Sequence, residues 1–222
     1  MVVLAILTIV TPGCSGTSRS SSVTTSVSTS VTGATSVPAV SSTSPSVSTV
    51  ADPVGLLASV DVADSDTLLP LLDGLGDPGL LRAAEVALST HPTGNLQFAA
   101  ALLVANSGGD GDLLVPLIAD TNPTIRVMAG TGLIAQGRLE GFAPLIAALT
   151  DDTILDGHYP AQHAWEAATL ALVRWTALSD NGPPFDATVS QRASAQQRWS
   201  EWLSQHQATL TFDAAEGLWH AR

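Results

Sequence analysis

The 222-residue chain contains no lysine. That absence excludes a Schiff-base lysine, a phosphate-loop lysine and a Ser-Lys catalytic pair. Cys14 is the single cysteine, so no intrachain disulfide can form. Basic residues are scarce, 8 against 20 acidic, for a net charge of −12. All of the carboxylates lie at Asp52 or beyond. Such a surface repels phosphate backbones and anionic lipid headgroups, which argues against nucleic-acid binding and leaves a basic or neutral protein partner compatible. The same excess also serves solubility alone. Gly-x-Ser-x-Gly does not occur, and Gly108-Gly109 lacks the strand-loop-helix context of a phosphate cradle. Asp110 and Asp112 fall among glycines, as turn aspartates do. No pairing supports glycoside or proton-transfer chemistry, and no cofactor is implied.

What is present begins with an ungapped echo. Pro116-Leu117-Ile118-Ala119 returns 28 residues later as Pro144-Leu145-Ile146-Ala147, and at the same offset Ala101 matches Ala129 and Gly109 matches Gly137. Self-similarity at that period predicts stacked helical units. Helical periodicity dominates from about Ala51, and convincing strand alternation is missing. Leu68, Leu69, Leu71, Leu72 and Leu75 fill one face of a first helix, and Asp77 with Pro78 starts the next. Asn95 to Asn106 is nearly all Ala, Leu and Val, which predicts a fully buried helix. Leu113 to Ala119 reads as a short helix, and Asn122 caps a run from Pro123 with Ile125, Ala129, Leu133 and Ile134 on one stripe. Phe142 to Leu149 follows, then a longer connection from Asp151 to Pro160, a helix from Ala161 to Ala177 and a last one near Thr188 to His206.

This ordered set resembles the short bacterial HEAT-like repeat family over roughly residues 66 to 177. The residues that carry it are Asp120, Pro123, Arg126 and Ala129 at the start of one unit, then Gly137 and Pro144. In that family the Asp and Arg six apart form a charge ladder across the turns between units. The unit after Asp151 departs from the pattern, with His158 six residues after Asp152 where an arginine is expected. The resemblance implies an all-α fold, a short α-solenoid, with residues 51–222 as the repeat domain. Ala195, Trp199, Trp202, Leu203 and His206 share one side of the last helix, as expected of a Trp-rich cap closing the stack. The five tryptophans all lie in the last third; most are expected in the core, with Trp219 the exposed exception available to a sugar or a protein.

The amino terminus is separate in kind. Val2 to Val10 is an apolar run of nine broken only by Thr8, far short of a membrane span and the right size for the core of a signal peptide. Thr11-Pro12-Gly13-Cys14 follows. This resembles a bacterial lipoprotein signal and implies cleavage of residues 1–13 and acylation of Cys14. From residue 15 to 50, 22 of 36 positions are Ser or Thr, and Leu, Ile and aromatic residues are missing. Residues 14–50 therefore predict a disordered linker. A domain so tethered would sit in the cell envelope, outside the cytoplasm, touching the membrane through its lipid alone.

The densest polar group is Asp151, Asp152, Asp156, His158 and His163. Carboxylates and imidazoles together can hold a divalent ion, so Asp152, Asp156, His158 and His163 are the candidate metal ligands. A long solvated turn running into a helix accounts for the same residues. HEAT-like metallo-hydroxylases carry His-Glu dipeptides, and none occurs here. The leading expectation is a non-catalytic scaffold that binds a protein. The alternative is a metal-binding or enzymatic repeat protein centred on those four residues.

Overall fold

The computed structural model describes residues 50–157 and 161–221. The signal segment, Cys14, the linker up to residue 49 and His158 lie outside the described residues. The fold is mostly helical. Helices α1 (Pro53–Ala58), α2 (Ser65–Asp73) and α3 (Pro78–Ser89) open the domain. Each starts on an aspartate whose side chain accepts a first-turn amide: Asp52 from Gly55, Asp64 from Asp66, Asp77 from Leu80. Those bonds satisfy donors that no helical carbonyl can reach. Asp77 is buried and also accepts the Val50 amide at 3.1 Å, which ties the incoming chain to α3. These amides, Leu80 first and Val50 next, hold its carboxyl below the usual aspartate range.

Three helices of 13 residues follow: α4 (Gly94–Asn106), α5 (Pro123–Ala135) and, after the shorter α6 (Phe142–Ala148), α7 (Ala164–Thr176). Helix α4 packs on α5 and α5 on α7, so the three form a row, with α3 and α6 flanking. The echo in the sequence has a structural counterpart. Two 3-10 turns, Gly111–Leu113 and Leu139–Gly141, stand 28 residues apart, and each leads into one copy of Pro-Leu-Ile-Ala. Leu117 and Leu145 are both buried, as are Ala101 and Ala129. Close approach of α5 to its neighbours rests on glycine. A side chain at Gly132 would meet Ala105 of α4, and one at Gly130 would meet Leu145 of α6. Side chains of α5 enter both halves of the interior: Ile125, Ala129 and Leu133 join the amino-terminal half, Val127 and Ile134 the carboxy-terminal half.

Helix α8 (Val189–His206) starts on Thr188 in a reciprocal cap with Gln191 and packs on α6. Three local expectations change. Val115–Ala119 winds as a 3-10 turn rather than an α-helix, consistent with Pro116, which has no amide to donate. Helix α7 begins at Ala164, because residues 162–164 pair with residues 153–155 instead: Leu155 N–H donates to Gln162 O at 2.8 Å and Ala164 N–H to Thr153 O at 2.9 Å. The chain ends in an antiparallel hairpin, β1 (Leu210–Asp213) with β2 (Leu218–Ala221), where no strand was expected.

Candidate interaction surfaces and the charged turns

Polar side chains near the starts of α4 and α5 reach the loop that precedes the next helix of the row. Gln97 of α4 donates to Asp120 Oδ2 at 2.7 Å. Arg126, one turn into α5, donates to the carbonyls of Asp120 (2.8 Å) and Thr121 (2.9 Å) and reaches Asp151 Oδ2 at 3.2 Å. Asp120 and Arg126 thus meet through the backbone of Asp120, and Arg126 spends its charge on the next turn. Asn122 carries the contact further, donating to Asp156 Oδ2 at 3.1 Å, while Thr124 Oγ1 accepts the Asp156 amide at 2.9 Å. Thr93, Gln97, Asp120, Asn122 and Asp156 surround a polar cleft of about 330 Å³. Pro123 fills the first position of α5, Ala129 lies in its buried middle and Pro144 lies near Gly130 across the α5–α6 contact. Gly137 adopts φ +76° just past the end of α5, where a side chain would also strike Phe212.

Asp152 obtains its arginine from far along the chain. Both terminal nitrogens of Arg192, on α8, donate to its two carboxylate oxygens, with Nη2 at 2.7 Å from Oδ2. Arg192 is 4 % exposed and lies over the Trp165 ring at 5.2 Å. A cation stacked on an aromatic face and forked onto a carboxylate is the arrangement for which arginine is better suited than lysine. The Arg192 bonds hold the Asp152 carboxyl below the usual aspartate range. His163 Nδ1 lies 2.6 Å from the Asp152 carbonyl and 3.9 Å from its carboxylate. Of the four candidate metal ligands, Asp152 and His163 are therefore neighbours on the α7–α8 side, while Asp156 turns to Asn122 and the polar cleft. Among the described residues, these three do not meet as one ligand set.

The aromatic side chains near the carboxy terminus form one packed group. Phe142 contacts Trp202 and Trp219, and Trp199 meets Trp202 edge-to-face at 5.5 Å. Trp219, expected at the surface, is buried, and its Nε1 donates to Ile134 O at 2.9 Å. The hairpin explains the difference, since its inward pair, Phe212 and Trp219, lies over the end of α5. The exposed large apolar side chains of this half are instead Phe185, Val189, Leu170 and Ile154. Phe185, 89 % exposed, sits in a loop braced by Arg198, which donates to the carbonyls of Asn181 and Gly182 at 3.3 Å each. Gly182 packs against Thr169 and Val173 of α7. A groove of about 390 Å³ lies between α6 and α8, with Ile146 and Leu203 offering apolar surface and Gln196 and Ser200 polar groups.

No helix among the described residues is long and apolar enough to cross a membrane. No family model matches the chain, and no similar curated protein or solved structure was found.

Proposed function

We propose that this chain is a non-catalytic binding module, a short HEAT-like α-solenoid held at the cell envelope by a lipid on Cys14 and a Ser/Thr-rich linker. Helix α8, with its Trp199 and Trp202, closes the end of the stack. The single observation that carries the reading is the row of three equal helices in which a side chain near the start of one helix bonds the loop before the next, Gln97 to Asp120 and Arg126 to Asp151. A unit of this kind cannot bury its apolar face alone, so neighbours share one interior and leave an extended outer surface for recognition. The helices of the row are themselves nearly covered, so a partner meets loops and outer helices. Phe185 is the side chain best suited to anchor one, because it is a large aromatic group left 89 % exposed in the loop between α7 and α8. The acidic surface favours a neutral or basic protein and disfavours nucleic acid.

Affinity capture from detergent-solubilised envelopes tests this reading. Wild-type protein should enrich one reproducible partner that Phe185→Ala loses while remaining folded. Equal recovery by both, or no specific partner, would overturn it.

A further inference from the structure

We propose that the hairpin carries a binding site for a zinc-class divalent cation, formed by Asp213, Glu216 and His220. One ligand atom from each of these residues lies within 4.8 Å of the other two, and among the described residues no other set of this kind occurs. His220 Nε2 is 3.0 Å from Glu216 Oε2. Ligands of a tetrahedral zinc at about 2.1 Å stand about 3.4 Å from one another, so a small adjustment of exposed side chains brings the three into position.

The strand register produces the grouping. Phe212 pairs with Trp219 and faces the core, while Thr211 pairs with His220 and Asp213 with Leu218 on the opposite face. Side chains alternate along a strand, so burying Phe212 and Trp219 puts Asp213 and His220 together on the outside as diagonal neighbours. Glu216 reaches them from the turn. That turn is fixed by its own bonds: Asp213 Oδ1 accepts the amides of Ala215 at 2.8 Å and Glu216 at 3.2 Å, and Asp213 O accepts Gly217 N–H at 2.7 Å. Gly217 takes φ +68°, which a glycine adopts without strain. The Trp219 bond to Ile134 ties the inner face to α5, so the ligands are displayed from an anchored element.

One imidazole and two carboxylates form a mixed nitrogen–oxygen set. It suits zinc and its neighbours in the first transition row, whereas magnesium and calcium take six or more oxygens. Three protein ligands leave a position for water or for a group from another molecule.

Titration of ZnCl2 into the purified full-length chain, followed by calorimetry and by the His220 ring proton signals, tests the site. The expected result is one zinc per chain with the His220 signals shifted, and no response to magnesium. Glu216→Gln and His220→Gln should each weaken zinc binding at least about tenfold, with the near-UV circular dichroism of the tryptophans unchanged. His163→Gln should bind as wild type does. Absence of zinc binding, unchanged affinity in His220→Gln, or loss in His163→Gln instead would overturn the proposal; the last would locate the ion beside Asp152.

Discussion

Replacing Gly132 by alanine tests how tightly the row of helices is built. In most helices the change adds about 1 kcal/mol of stability, because alanine loses less backbone entropy than glycine. Here the added Cβ would stand 2.7 Å from Ala105 Cβ, 2.8 Å from Ala105 Cα and 2.9 Å from Leu114 Cδ1. Carbon atoms prefer about 3.5–4.0 Å. The leucine terminus can turn aside; the backbone of α4 cannot, so α4 and α5 must separate. Overpacking of this kind costs about 1–3 kcal/mol. With two of the three contacts against Ala105, including its backbone, the upper part of that range applies, and the net loss should be about 1–2 kcal/mol. For a domain of this size the melting temperature should fall by about 2–8 °C. Urea denaturation followed by far-UV circular dichroism measures it. Ala105→Gly alone also destabilises, by loss of a buried methyl and of helix propensity. The double variant should be more stable than the two losses added together, because the Cβ–Cβ conflict is gone. A gain of about 1 kcal/mol from Gly132→Ala, with no coupling to position 105, would refute the close packing of α4 on α5.

Further expectations concern the carboxy-terminal half and the anchor. Trp219→Ala should cost about 3–5 kcal/mol in denaturant titrations, since it empties a packed aromatic group and removes the indole bond to Ile134 O; a loss under 1 kcal/mol would mean the hairpin is not docked. Asp152 has its folded pKa below the ordinary value of about 3.9, so its contribution is complete above that pH and is lost as pH falls below it. Arg192→Met should therefore destabilise the protein near neutrality and bring its stability closer to wild type in acid, read from urea midpoints between about pH 2.5 and 6. A constant difference across that range would contradict the pairing. Phe185→Ala should leave stability within about 0.5 kcal/mol of wild type. Cys14→Ser should move the protein from the membrane pellet to the soluble fraction; unchanged fractionation would contradict the anchor.

Much of the helical layout is legible because its signals are local. Asp77-Pro78 and Asn122-Pro123 mark helix starts through a side-chain cap and a proline that needs no donor, and the unbroken Ala/Leu/Val stretch of α4 signals burial on all sides. The 28-residue echo is matched only in part: both copies of Pro-Leu-Ile-Ala follow a 3-10 turn and bury their leucine, but the first winds as 3-10 and the second lies in α6. What the chain conceals is set at long range. Asp152 is followed six residues later by His158, and nothing near it indicates that Arg192, 40 residues on, supplies the charge. The hairpin strands are four residues each, too short for alternation to stand out, though Leu210-Thr211-Phe212-Asp213 does alternate. Without that hairpin, Trp219 has no visible reason to be buried and the grouping of Asp213, Glu216 and His220 cannot be seen. The exposure of Phe185 is likewise not marked by anything local, since a lone aromatic residue in a Pro/Gly loop is as easily buried as exposed.

The proposed role as an envelope-held binding module is tested most directly by photo-cross-linking in intact cells. With no lysine in the chain, amine-reactive reagents have no side chain to attack, so a photo-reactive phenylalanine analogue at position 185 is the appropriate probe. The account predicts one discrete adduct with an envelope protein, absent when the analogue replaces Arg82, a well-exposed side chain at the far end of the domain. Identical adducts from both positions, or none from position 185, would contradict it.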